Sequence, residues 1–185
     1  MLLVADHDQL PVTQARAGDS AAWEVLFRRY QMPLYAYVVQ LVRDQQASLD
    51  VVQETFVSAV RHIQSLRDDE RFGGWLFGIA HQKCVQLWRR RDREAMGAEK
   101  LIRDSPEQVE EDPGDLLVRQ EQEAEFMKRL DELPAPHRSV LLLHFLEDFS
   151  LEEIARITGC QLGTVKSRMH YAKLALRKLL GKRSS

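Results

Sequence analysis

The sequence predicts an all-α protein: two small helical domains joined by a flexible acidic linker, the C-terminal one a helix-turn-helix. Three observations carry this. Apolar residues recur at helical spacing along most of the chain, with no convincing strand alternation. Between about Ala95 and Asp115 the composition turns acidic, loses its aromatics and gains Pro106, Pro113 and Gly114, as in an extended connector. From Ser150 to Leu180 the chain carries the start and stop signals of two helices around a glycine turn. The expected division is 1–94, a linker over 95–115, and 116–185.

Each element follows from local chemistry. Ser20 can cap a helix with Trp23, Leu26, Phe27, Tyr30 and Leu34 at helical spacing, and Pro33 should kink or split it. A second helix runs from about Gln46 to Leu66, with Val52, Phe56, Ala59, Val60 and Ile63 inward. Arg67 to Glu70 is polar and reads as a loop. A third helix spans about Phe72 to Arg93, its apolar surface supplied by Trp75, Leu76, Ile79, Ala80, Val85, Leu87 and Trp88. Gly73, Gly74 and Gly78 weaken its start. Beyond the linker, Leu116, Phe126, Leu130 and Leu133 suggest a helix ending before Pro134, and a very apolar one follows over Pro136 to Leu146.

Composition limits the function classes. The 185 residues suffice for one ordinary domain or two small ones. With 44% hydrophobic and 29% charged residues the chain is globular rather than disordered. A net charge of -2 leaves nucleic-acid binding open, because local fields decide it. Those fields are uneven: Arg89, Arg90, Arg91 and Arg93 form a basic knot, Lys166 to Arg183 a basic tail, and Glu107 to Glu125 an acidic stretch between them. That layout suggests two anion-binding patches, although solvated helix faces would look the same. Cys84 and Cys160 lie far apart, so neither a disulfide framework nor a zinc site is expected, and both read as small core residues. The opening MLLVADHDQL lacks the pattern of a secretory signal, and no run approaches the roughly 20 apolar residues of a membrane span. A cytosolic protein with no membrane insertion of its own is expected. There is no glycine-rich phosphate loop, metal-ligand cluster or nucleophile elbow, so no catalytic residue, metal or cofactor is assigned. His62 and His144 read as structural residues.

The C-terminal motif is the most informative. Ser150 with Glu153 three residues on forms a capping box, and Gly159 can take the positive φ that ends the helix. In the next helix, starting near Leu162, Val165, Met169, Ala172, Leu176 and Leu179 share one stripe. Lys166, Ser167, His170 and Tyr171 point the other way, as a helix in the major groove requires. Spacing alone leaves an ordinary amphipathic hairpin equally open.

Longer stretches then carry a family resemblance. LPAPHRSVLLL, FSLEEIA and GTVKSRMHYAKLALRKLL, in that order and spacing, resemble the promoter-reading fourth domain of sigma-70 factors of the extracytoplasmic-function (ECF) group. ARAGDSAAWEVLFRRY, DVVQETFVSAV and RFGGWLFGIAHQKCVQLWRRR resemble the second sigma domain. The third sigma domain is replaced by the linker, which is itself the ECF plan. The resemblance implies a factor that binds core RNA polymerase, directs it to promoter DNA and helps open the duplex. It also implies an anti-sigma partner, and a monomeric chain is expected.

Residue roles follow from the same resemblance. Asp50, Gln53 and Glu54, with Val57, match the polymerase-binding helix, and their spacing puts them on one helix face. The loop from Leu66 and the helix after it match the part that captures the −10 element; this assigns Asp68, Arg71, Phe72, His81, Gln82, Lys83, Gln86, Arg89 and Arg90. Opening without a nucleotide-driven motor requires tighter binding to single strand than to duplex, through flipped bases and backbone contacts. Trp75 and Trp88 could stack on bases, but aromatics at helical spacing are usually core, and Trp75 is read so. The −35 element falls to Thr164, Lys166, Ser167, Arg168, His170 and Tyr171. The linker of this family threads toward the polymerase active-site cleft, where carboxylates such as Glu107 to Asp115 would imitate nucleic-acid phosphates.

Departures from the family pattern are informative. The usual Asp-Ala-Glu-Asp opening of the polymerase helix is Ala47-Ser48-Leu49-Asp50 here. Ile-Ala-Arg-Asn is Ile79-Ala80-His81-Gln82, a frequent Asp is Gln86, and a frequent Arg is Tyr171. An unusual −10 preference set partly by His81 and Gln82 is therefore expected. A duplex-binding regulator would leave the N-terminal motifs unexplained, and the basic reading helix argues against a mere helical interaction module.

Overall fold

The computed structural model describes residues 10–97, 130 and 132–181, and every element among them is helical. A short helix α1 (Val12–Arg16) precedes α2 (Ser20–Val42), α3 (Gln45–His62) and α4 (Phe72–Gly97). The turns Ile63–Ser65 and Asp69–Arg71, both 3₁₀, link α3 to α4. The C-terminal unit holds α5 (Ala135–Phe145), α6 (Leu151–Thr158) and α7 (Leu162–Gly181). No described helix is long and apolar enough to cross a membrane.

The termini show why these segments are helical. Asp19, not Ser20, caps α2: its carboxylate accepts from the N–H groups of Ala21 and Ala22. Pro33 does not split α2, which runs unbroken for 23 residues with Pro33 buried on its core side. Asp44 caps α3 and accepts from Ala47 N–H at 2.9 Å. In α6 the capping box forms in full: Ser150 Oγ accepts from Glu153 N–H and Glu153 Oε2 accepts from Ser150 N–H at 2.8 Å. Gly159 ends that helix at φ 64, in the left-handed region that favours glycine. Replacing Ser150 by alanine should cost about 1 kcal/mol of stability, read as a lower denaturation midpoint. An unchanged midpoint would show that Glu153 alone holds this end.

Helices α2, α3 and α4 form the N-terminal core around Leu26, Leu34, Tyr37, Val38, Ala59, Phe72, Leu76 and Phe77, all fully buried. Helix α1 lies against α2, where Trp23 Nε1 donates to Ala15 O at 3.0 Å. Sequence periodicity missed this five-residue helix because it is too short for a repeat. Val60, expected inward, is exposed on α3. Helix α4 continues through Gly97, past the expected start of the linker. The rest of that linker, including the stretch 107–115, and most of the helix expected before Pro134 lie outside the described residues. In the C-terminal unit, Val140, Leu143, Ile154, Val165 and Ala172 form the core; of the stripe read on the last helix, Val165, Met169 and Ala172 are buried, Leu176 is half-buried, and the side chain of Leu179 lies outside the described ones. Cys84 is buried, whereas Cys160 is only half-buried at the helix-turn-helix turn.

The two units touch. Helix α6 packs across α4, and α5 against α2. A Cβ on Gly78 would lie 4.0 Å from the Ile157 backbone, and the Phe149 ring meets Phe77 edge-on at 5.3 Å between centroids.

Candidate polymerase and nucleic-acid interfaces

Helix α3 buries Val51, Val52, Thr55, Phe56 and Ala59 on one side. The opposite side presents Asp50, Gln53, Glu54 and Val57, all four exposed. The sequence-assigned polymerase set is thus brought together on one solvent face. Glu54 reaches across to α4, where Lys83 Nζ lies 3.4 Å from its Oε2.

The loop before α4 is fixed from a distance. Asp68 accepts from Glu70 N–H at 3.1 Å and pairs with Arg71 Nε at 3.0 Å. Two assigned −10 residues therefore hold each other at the loop's rim. Behind them Thr13 Oγ1 donates to Asp69 Oδ2 at 2.6 Å, Arg16 pairs with Asp69, and the same guanidinium donates to Leu66 O at 3.0 Å. The Thr13 hydroxyl, helped by Arg16, holds the Asp69 carboxyl below its usual range. Thr13, Arg16 and Asp69 had no assigned role, because no local signal joins residues more than 50 positions apart.

Along α4, Gln82, Gln86, Arg89 and Arg90 are exposed and Lys83 is half-buried. Phe72 and His81 depart from expectation. Phe72 is 0% exposed and ringed by Trp23, Tyr30 and Trp75 with centroids at 5.5–6.4 Å. It is a core residue and offers no face to a base. His81 is 7% exposed, and its Nδ1 shares a 2.8 Å hydrogen bond with the Tyr37 hydroxyl. Burial, helped by the charge of Arg168, pushes the imidazole down to about 4, so it is neutral at physiological pH. A neutral, bonded ring inside the core cannot serve as an outward reader. The basic knot also divides. Arg91 donates to Val42 O at 3.1 Å and pairs with Asp44 at 3.2 Å, closing the α2–α3 corner. Trp88 Nε1 donates to Leu41 O at 3.2 Å, so it too is an anchor rather than a stacking platform. Trp75 is half-buried against the core, as expected.

On α7, Thr164, Lys166, Ser167, His170 and Tyr171 are exposed, the row that a groove-reading helix needs. Arg168 is half-buried, and its guanidinium donates to Cys160 Sγ at 3.1 Å. The stripe opposite is buried in Val165, Met169 and Ala172.

Two family models match this layout: sigma-70 region 2 over residues 26–94, and sigma-70 region 4 over residues 123–176. The RNA polymerase sigma-H factor of Pseudomonas aeruginosa is 33% identical over 97% of this chain and 96% of its own. The ECF RNA polymerase sigma-E factor of Escherichia coli is 32% identical over 91% of this chain and 92% of its own. The chain belongs to the sigma-70 family, in its ECF group. This sigma factor therefore acts in promoter-specific initiation by RNA polymerase, with core polymerase and promoter DNA as partners, and it is not an enzyme. Two solved structures share its fold. CnrH in complex with the cytosolic domain of CnrY aligns with a TM-score of 0.69 and 25% identity, over 97% of this chain and 100% of that one. The sigma factor RpoE in complex with the anti-sigma factor NepR from Bartonella quintana aligns with a TM-score of 0.71 and 27% identity, over 86% and 96%. In this sigma factor the region 2 match lies in the N-terminal unit, hereafter domain 2, and the region 4 match covers the C-terminal unit, hereafter domain 4.

Proposed function

We propose that this sigma factor docks on core polymerase through Asp50, Gln53, Glu54 and Val57 of α3. It captures the −10 strand along Asp68, Arg71, Gln82, Lys83, Gln86, Arg89 and Arg90. It reads the −35 element with Thr164, Lys166, Ser167, Arg168, His170 and Tyr171. The observation that carries the assignment is the solvent exposure of the four α3 residues on a helix whose other side is core. A charged and apolar face that its own fold engages only through the surface contacts of Gln46 with Asp50 and Lys83 with Glu54 suits a protein interface. Phe72 and His81 are left out of the reading set.

The −10 preference then rests on Gln82 and Gln86 rather than on His81. Both are exposed, and their side chains engage no hydrogen bond among the described residues. A glutamine reaches one methylene further than an asparagine, and its amide can bond the N6 and N7 of an adenine together. Opening follows from preferring a strand with unstacked bases over the duplex, with Arg89 and Arg90 on phosphates. Selection from a random promoter library should give different −10 sequences for the wild type and Gln82→Asn, and identical selections would remove Gln82 from the reading set. The chain works in the cytoplasm, and the anti-sigma partner NepR of a relative at 27% identity supports a similar inhibitor here.

The direct test is reconstitution with bacterial core polymerase on fragmented genomic DNA. RNA starts sharing two spaced upstream elements are expected. A chain that neither co-elutes with core nor directs starts would favour a duplex-binding regulator instead.

A further inference from the structure

Helix α1 has no assigned part in promoter reading or polymerase docking, yet it is bound to the loop that carries two of the −10 residues. Val12 and Ala15 seat it on the core of domain 2. From there the Thr13 hydroxyl donates to Asp69 Oδ2 at 2.6 Å, and Arg16 pairs with Asp69 Oδ1. Helix α1 thus holds both oxygens of one carboxylate. The Arg16 guanidinium also donates to Leu66 O at 3.0 Å, and Gln64 Nε2 donates back to Arg16 O at 3.0 Å.

The loop divides its side chains accordingly. Of residues 65–71, all but Asp69 line the cleft that Gln82 of α4 also lines. Asp69 turns the other way, to α1. Asp68 and Arg71 therefore stand across the turn from the clamp. Leu66 and Phe72, both buried, anchor the two ends of the loop. Between these anchors, among the described residues, the loop bonds another element only through Asp69, since Asp68 and Arg71 bond within the loop.

This arrangement has two physical consequences. A loop freed at its middle samples other shapes, and a strand then binds only the fraction that holds the capturing one. The loop also sets three successive acids, Asp68, Asp69 and Glu70, against a phosphate backbone. Its own Arg67 and Arg71 offset two of these charges, and Arg16 offsets the third.

We propose that Thr13 and Arg16 are positioning residues for −10 capture, acting through Asp69 to hold Asp68 and Arg71 in the shape that receives the single strand. The proposal rests on the −10 assignment given above. The five-residue helix that periodicity missed thereby belongs to the strand-capturing apparatus.

The test uses holoenzyme formed from the full chain and core polymerase. Its probe is a fluorescent single-stranded DNA oligonucleotide carrying the −10 sequence that wild-type holoenzyme selects. Thr13→Val removes the hydroxyl and keeps the branched shape, and Arg16→Met removes the charge and keeps most of the length. Each should weaken oligonucleotide binding about tenfold, while affinity for core polymerase stays within about twofold. Thr13→Ser restores the donor and should return binding to within about twofold of wild type. Asp69→Ala should weaken binding as well, and in that background Thr13→Val should change nothing further, because the group it acts through is gone.

A merely structural role would lower core binding together with oligonucleotide binding, and the effect of Thr13→Val would add to that of Asp69→Ala. Either result overturns the proposal, as do oligonucleotide affinities that Thr13→Val and Arg16→Met leave unchanged. Arg71→Ala and Gln82→Ala keep the two readings apart. If either weakens the oligonucleotide while the clamp variants do not, positioning fails and the −10 assignment stands. If neither does, the −10 assignment fails and takes the positioning role with it.

Discussion

Asp50→Lys, Gln53→Lys and Glu54→Lys combined should abolish co-elution with core polymerase while leaving the fold intact. All three side chains are exposed. Their bonds within the chain are weak surface contacts: Gln46 Nε2 to Asp50 at 3.4 Å and Lys83 to Glu54 at 3.4 Å. Exposed pairs of this kind contribute about 1 kcal/mol or less, so the melting temperature should barely move. At an interface the same change places like charge where opposite charge was accommodated, which costs several kcal/mol and about 100-fold or more in affinity. Size-exclusion chromatography with core polymerase and a parallel thermal melt separate the two effects. Co-elution retained at wild-type affinity would remove this face from the polymerase contact.

Phe72→Ala should have the largest effect on stability of any single change at the start of α4. The ring is fully enclosed by Trp23, Tyr30 and Trp75. Truncating such a residue costs about 3–5 kcal/mol through lost burial and the cavity left behind. The loop that carries Asp68 and Arg71 hangs on this cluster, so polymerase binding and −10 capture should fall together as domain 2 unfolds. Denaturant titration gives the loss directly, with Gln82→Ala as the neutral comparison. A Phe72→Ala chain of wild-type stability that had lost −10 affinity alone would make the ring a base contact after all.

The two cases show what a sequence reveals about a helical protein and what it withholds. The capping box of Ser150 and Glu153, the glycine turn at Gly159 and the stripe Val165–Met169–Ala172 are set by neighbours within one or two turns. They were legible without a structure. So was the exposed face of α3, Val60 apart, because that helix packs on one side only. Helix α4 is different. It meets α2 and α3 on one side and α6 on another, so a polar residue such as His81 can face inward and still be satisfied, by Tyr37 from 44 positions away. Periodicity gives a phase but cannot count how many neighbours a helix has. The clamp of Thr13 and Arg16 on Asp69 escaped for the same reason, and so did the role of Arg91.

Arg91 carries one further implication. It lies in a run of arginines that a phosphate backbone would attract without discrimination, yet its charge is spent on Asp44 and the carbonyl that ends α2. Asp44 in turn starts the helix that presents the α3 face. The corner therefore ties the inherited, shared task of a sigma factor to a residue that looks replaceable. With Gln82, Gln86 and Tyr171 reading the promoter as proposed, descendants of this chain would drift there and acquire new target genes. A change at Arg91 would loosen the mount on which every such variant must still meet the same polymerase.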